Sequence, residues 1–174
     1  MQYFPYSAVA IPKAGRIIAR DAGSLNAFWE EVNKEEEGLS EAIGCYIFSI
    51  RAGKGLLPWY VGLAEKQTFR KECFAPHKLN HYNDAIANRK GTPTLTLIPK
   101  FTEGDRFAKP SKNGHRDIQL LETMLIGACL RRNKGLLNAK DTKLLREMVV
   151  PGLLNNQQGR DYQCVREFRA LIGS

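Results

Sequence analysis

Hydrophobic positions along the chain follow two periods. GCYIFSIRA (44–52), LPWYVGLA (57–64) and TPTLTLIPKF (92–101) are strand-like, rich in aromatic and β-branched residues or alternating, and the turn-forming GKG at 53–55 joins the first two as a hairpin. A shorter alternation, YSAVAIP (6–12), predicts an N-terminal strand. Helical periodicity begins at Ser24, where Leu25, Phe28, Trp29 and Val32 share one face of a helix closed by Gly38. Thr68 is placed to cap a short helix, TFRKECF, and Pro76 to stand in the first turn of PHKLNHYNDAIANRKG, which ends at Gly91. DIQLLETMLIGACLRRNKG is the most apolar helical stretch. An amphipathic helix is expected within LLNAKDTKLLREMVV before Pro151, and a last one in DYQCVREFRALIG turns Cys164, Val165, Phe168 and Leu171 or Ile172 inward.

These elements predict an α/β (α+β) fold: a small three-stranded antiparallel sheet flanked by helices. With 174 residues, 43% of them hydrophobic, the chain can bury one good core. One domain over 1–174 is expected: an N-terminal strand and helix in 1–40, a core over 41–140 and a helical extension over 141–174. The N-terminal strand can extend the sheet, in a register that the pattern leaves open.

Charge narrows the partners. Twenty-six Lys and Arg against eighteen Asp and Glu give +8, which suits a polyanion such as nucleic acid or an anionic membrane. The sequence has no apolar run long enough for a membrane span, and its first residues lack the pattern of a signal peptide, so a cytoplasmic protein without membrane association is expected. Cys45, Cys73, Cys129 and Cys164 lack zinc-ligand spacing and read as free, buried thiols. GKG is not followed by GK[ST], which excludes a P-loop. A polar, basic loop of about fifteen residues, TEGDRFAKPSKNGHRD, is long enough to suspect function.

Candidate chemistry concentrates in PWYVGLAEKQTFRKECF (58–74), where Gly62 follows a strand and Lys66, Arg70 and Lys71 follow at helical spacing. By itself this is a phosphate site or a solvated helix after a buried strand. Tyr46 and Tyr60 on paired strands would put two phenols on one sheet face, and Gly62 would let backbone or phosphate approach. Arg70, His77 and His81 share one stripe if the helix runs nearly unbroken across Pro76. Glu122 stands among Ile118, Leu121 and Leu125 at the edge of an apolar helix face, either partnered with a cation or placed near the helix start by the dipole. Asn138 orients a site or caps a turn.

The order of these features resembles the GIY-YIG nuclease family. Gly44-Cys45-Tyr46 matches the first motif and Tyr60-Val61-Gly62 the second; Arg70 follows Tyr60 by ten residues, then come Glu122 and the Asn138 that ends GLLN. The resemblance covers about residues 44–140. Its departures are a longer segment between the tripeptides, Leu63 where the family often has Lys, with Lys66 the nearest substitute, and Phe74 where it often has His or Tyr. The last shifts the match to His77 or, less well, His81.

The resemblance implies a metal-dependent endonuclease hydrolysing phosphodiester bonds of nucleic acid, DNA being the usual substrate. One Mg²⁺ or Mn²⁺ would sit on Glu122, Tyr46 would act as general base or part of its relay, and Arg70 would stabilise the charged phosphorane. Tyr60 and His77 would position phosphate or move protons, and Asn138 would brace Glu122 or the phosphate. Gly62, Lys66, His81, Arg131 and Arg132 would contact substrate. One strand is cut per site, so duplex cleavage needs a homodimer or a second visit; no obligate protein partner is evident. The rival expectation is a catalytically weak or inactive module of the same fold that binds nucleic acid or a protein partner.

Overall fold

The computed structural model describes residues 2–53, 55–87, 89–138, 142, 147–151, 153 and 162–173. The chain begins with four two-residue strands, β1 (Gln2–Tyr3), β2 (Val9–Ala10), β3 (Lys13–Ala14) and β4 (Ile17–Ile18), followed by helix α1 (Ala22–Glu35). Then come β5 (Gly44–Ala52), β6 (Gly55–Ala64), helices α2 (Phe69–Glu72) and α3 (Pro76–Ile86), β7 (Thr92–Phe101), α4 (Arg116–Arg132) and α5 (Gln163–Ile172). The fold is mixed α and β around an antiparallel sheet.

The three long strands are those the alternation predicts, with β5 hydrogen-bonded to β6 on one side and β7 on the other. Residue 54 of the hairpin turn lies outside the described residues. The N-terminal alternation yields a shorter regular strand than expected: Val9 and Ala10 pair opposite Leu95 and Thr94, with the Tyr6 and Ile11 N–H groups donating to the Leu97 and Pro93 carbonyls on either side, and β1 pairs separately with the far end of β7. Pro5 and Pro12, which lack an N–H, flank the paired residues.

Period-two alternation sorts side chains to the two faces. Tyr46, Phe48 and Ile50 of β5, Tyr60 of β6 and Leu95 and Leu97 of β7 form one core with Phe28, Trp29 and Val32 of α1 and Leu79 and Tyr82 of α3. Cys45, Ile47, Val61, Leu63 and Ile98 point the other way, against Ile118, Leu121, Leu125 and Ile126 of α4. The sheet therefore stands between α4 and the Tyr46 side chain.

Helix boundaries differ from expectation where side-chain chemistry intervenes. Asp21, not Ser24, caps α1, its Oδ1 accepting the Ser24 N–H at 2.8 Å. Thr68 stands at the N-cap of α2, but its side chain makes no capping bond. Pro76 opens α3 as expected, and the helix stops at Ile86, short of Gly91. The amphipathic segment before Pro151 falls largely on 139–141 and 143–146, outside the described residues. No residue of α5 is fully buried: of its expected inward face Val165 and Phe168 are half-buried, whereas Cys164, Leu171 and Ile172 are exposed, Leu171 at 81%. Cys45, Cys73 and Cys129 are buried free thiols, whereas Cys164 is exposed.

Two sets of contacts fix α4 and the outer edge of β6. Asp117 in the first turn of α4 pairs with Lys100 at 2.8 Å and accepts the Tyr3 hydroxyl at 2.6 Å. Glu65, just past β6, accepts the His115 N–H at 2.6 Å and the Gln119 side-chain amide. Along the β6 edge, Leu137 N–H donates to the Trp59 carbonyl at 2.8 Å, and Asn133 Nδ2 donates to the Pro58 carbonyl at 2.8 Å. Asn138 takes the Val61 N–H at 2.9 Å and donates to the Val61 carbonyl at 2.7 Å. No helix among the described residues is long and apolar enough to cross a membrane.

Candidate active site

Tyr46 and Tyr60 do share one face, as the alternation requires, with ring centroids 6.5 Å apart. Tyr46 stands opposite Gly62 in the β5–β6 ladder. The space above Gly62 is filled by the Tyr46 ring, which corrects the expectation that a phosphate approaches there.

Tyr46 is fully buried and its hydroxyl bonds to no described residue. Burial foremost, then the neighbouring Tyr82, Cys73, Tyr60 and Glu72, push its pKa well above the ordinary phenol value. A buried phenol whose pKa is raised keeps its proton near neutrality, which disfavours Tyr46 as general base.

The phenol with a polar partner is Tyr60. Its oxygen accepts a hydrogen bond from Lys78 Nζ at 2.7 Å, and its ring stacks on His81 with centroids 5.1 Å apart. Tyr60 is 8% exposed and Lys78 9%. The ammonium lies 5.0 Å from the Tyr60 ring centroid and 5.9 Å from that of Tyr46. Glu72 pairs with it at 3.6 Å, and Gln67 donates to the other Glu72 oxygen. With its oxygen already accepting from Lys78, the Tyr60 hydroxyl is set to donate its own proton to a further acceptor.

Lys78 escaped the sequence reading although its position carries a signal. It lies four residues before Tyr82, on the stripe that buries Leu79, Tyr82, Ala85 and Ile86. A lysine in that stripe lays its methylenes along the core and must find a polar partner for its head. Glu65, the anchor of α4, was missed as well, and its place in GLAEK gave no comparable signal.

The remaining candidates do not gather around Tyr60. Arg70 is exposed and donates to Asn26 Oδ1 of α1 at 2.7 Å. The expected Arg70–His77–His81 stripe is broken because α2 ends at Glu72 and α3 restarts at Pro76. His77, Lys66, Arg131 and Arg132 are exposed, the two arginines in the last turn of α4. Asn138 braces the β6 backbone at Val61, where orientation of Glu122 or a phosphate was expected.

Glu122 is half-buried on α4, on the opposite side of the sheet from the Tyr46 side chain. Among the described residues no three His, Cys, Asp or Glu side chains gather as a metal site. Glu65 and Asp117 are engaged in anchoring α4. An all-protein cage is thus outside the described donor set. A single carboxylate completed by waters and phosphate is the site that Mg²⁺ or Mn²⁺ would accept at Glu122.

No family model, curated protein or solved structure matches the chain.

Proposed function

We propose that the protein is an endonuclease of the GIY-YIG type acting on nucleic-acid phosphodiesters, with DNA as substrate. The observation that carries this reading is the 2.7 Å bond between the buried Lys78 ammonium and the Tyr60 hydroxyl. Binding phosphate alone is served by exposed Lys and Arg, in which this chain is rich. Burying an ammonium costs several kcal/mol (~3 or more), and such a group held against a phenol suits proton transfer or stabilisation of developing charge. Tyr60 donates to a phosphate oxygen, Lys78 supplies the positive charge, and His81 holds the Tyr60 ring by stacking. A Mg²⁺ or Mn²⁺ ion held by Glu122 would sit on the other side of the sheet from Tyr60 and Lys78, so no step on the phosphate they hold is assigned to it. The basic loop carrying Lys109 and Lys112, with Arg131 and Arg132, grips backbone phosphates without reading sequence. Each site cuts one strand, so a homodimer or a second visit completes duplex cleavage. The same reading has the protein acting in the cytoplasm, where its free cysteines stay reduced.

A second reading, a nucleic-acid-binding module without cleavage, is favoured by the sealed Tyr46 phenol and by Arg70 turning to Asn26. Nicking of supercoiled plasmid with Mg²⁺ or Mn²⁺ separates the two. The expected result is nicking by wild type and a loss of about a hundredfold in Tyr60→Phe and Lys78→Met. Equal background from all three, with salt-sensitive DNA binding retained, sinks hydrolysis and leaves the binding module.

A further inference from the structure

A cleft of about 160 Å³ opens between the β3–β4 turn and the C-terminal end of α3, lined by Lys13, Gly15, Arg16, Ile86, Arg89 and Gly91. Among the described residues, three cations and no carboxylate line it. The ion pairs among the described residues, Lys34–Glu31, Lys78–Glu72 and Lys100–Asp117, all lie elsewhere.

Arg89 is held in place for a ligand. Its guanidinium stacks 3.7 Å over the Trp59 ring, and Nη1 donates to the Ala85 carbonyl at 2.7 Å. Part of the ordering cost of binding is therefore already met. Gathering three like charges around one cleft is unfavourable until an anion enters. At Gly15 an added Cβ would meet nothing within 4 Å, so this rim is open to a ligand.

We infer that this cleft binds a second backbone phosphate of the nucleic acid whose scissile region lies at Tyr60, an inference that rests on the function proposed above. Helix α3 links the two places. From Lys78 to Ile86 it rises about 12 Å, and successive phosphates of one duplex strand rise about 3.4 Å each. With the duplex axis lying along α3, the two phosphates are thus separated by about three to four nucleotides. Because Lys13, Gly15 and Arg16 belong to the N-terminal extension, this extension joins the substrate-binding surface.

The test is fluorescence anisotropy of a short labelled DNA duplex without divalent metal, over a series of KCl concentrations. Lys13→Gln/Arg16→Gln removes two exposed side chains, and Lys34→Gln/Arg166→Gln, at exposed positions outside the proposed DNA surface, is a control of equal charge loss. The first pair is expected to weaken binding and lower the slope of log K against log salt by about 1, the control to do neither. Indistinguishable behaviour of the two pairs overturns the inference. So does millimolar inorganic phosphate that erases the difference between wild type and the first pair, because the cleft then takes free phosphate. DNA binding that depends on the cleft, in a protein that nicks nothing, removes hydrolysis and leaves the second phosphate site standing. Absence of DNA binding by wild type removes both.

Discussion

The Tyr46 ring occupies the space that any side chain on Gly62 would need: a Cβ there would collide with both Cζ and Oη of Tyr46. Tyr46 is buried on every side and has nowhere to yield. Gly62→Ala is therefore expected to cost about 2–3 kcal/mol in urea unfolding, and the loss should shrink when Tyr46→Ala is added. Full additivity of the two substitutions would show that this contact does not set the requirement for glycine.

Lys78 and Glu72 are both largely withdrawn from water, with side-chain exposures of 11% and 18%. Lys78→Met leaves Glu72 without its cation and should cost about 2–4 kcal/mol, most of it recovered when Glu72→Gln is added. Nicking should be lost in the single and the double variant alike, which separates the chemical role of the ammonium from its part in stability. Recovery of nicking along with stability would assign Lys78 to the fold alone.

Burial by itself would raise the pKa of Asp117, but hydrogen bonds from Lys100 and Tyr3 and the Lys100 charge outweigh it and leave the group below its ordinary value of 3.8. A depressed folded-state pKa gives stability that is present above 3.8 and is lost as pH falls from there through the folded value. Asp117→Asn should lower stability at pH 7 by about 1–3 kcal/mol. Its acid unfolding should then lack the part of the pH dependence seen in wild type below 3.8. Parallel acid-unfolding curves for the two proteins would exclude this linkage.

Tyr46 should also be visible from the alkaline side. Of the six tyrosines in the chain, Tyr3, Tyr46 and Tyr82 are held well above the ordinary phenol value, first by burial, and Tyr46 and Tyr82 are fully enclosed. Each contributes stability up to the unfolded-state pKa near 10 that is lost as pH rises through the higher folded value. Ultraviolet titration at 295 nm should show a late tyrosinate phase coincident with unfolding, reduced in Tyr46→Phe. Early, reversible titration of every phenol would contradict a sealed Tyr46.

Asn138 gives both its side-chain groups to Val61. Asn138→Ala strands a buried N–H and a buried carbonyl and should cost about 2–4 kcal/mol. Under conditions where the variant remains folded, its nicking rate should stay near wild type. A rate loss in fully folded protein would restore a direct role in chemistry.

Much of the sheet was legible because alternation alone decides which face a strand residue takes; Tyr46 and Tyr60 could be put together from that alone. The site beyond them was less legible. Arg70 and His77 were joined by counting along a helix, and the chain between Cys73 and Ala75 leaves helical geometry before Pro76 starts a new one. Lys78 was legible in principle, as a charge on the apolar stripe of α3. Asn138 was not, because its partners are backbone atoms of a strand far earlier in the chain, and a sequence carries no periodic trace of such a contact. The N-terminal cleft was equally hidden: Lys13 and Arg16 meet Arg89 only through the packing of β4 against α3.

The cover on β6 also sets an order of events during synthesis. Val61 and Asn138 are 77 positions apart, so a nascent chain that has already made its hairpin and β7 still carries β6 with open backbone donors and acceptors. An open strand edge is a template for pairing with another chain. The hazard lasts through the synthesis of α4 and ends when the segment through Asn138 comes to lie along the strand.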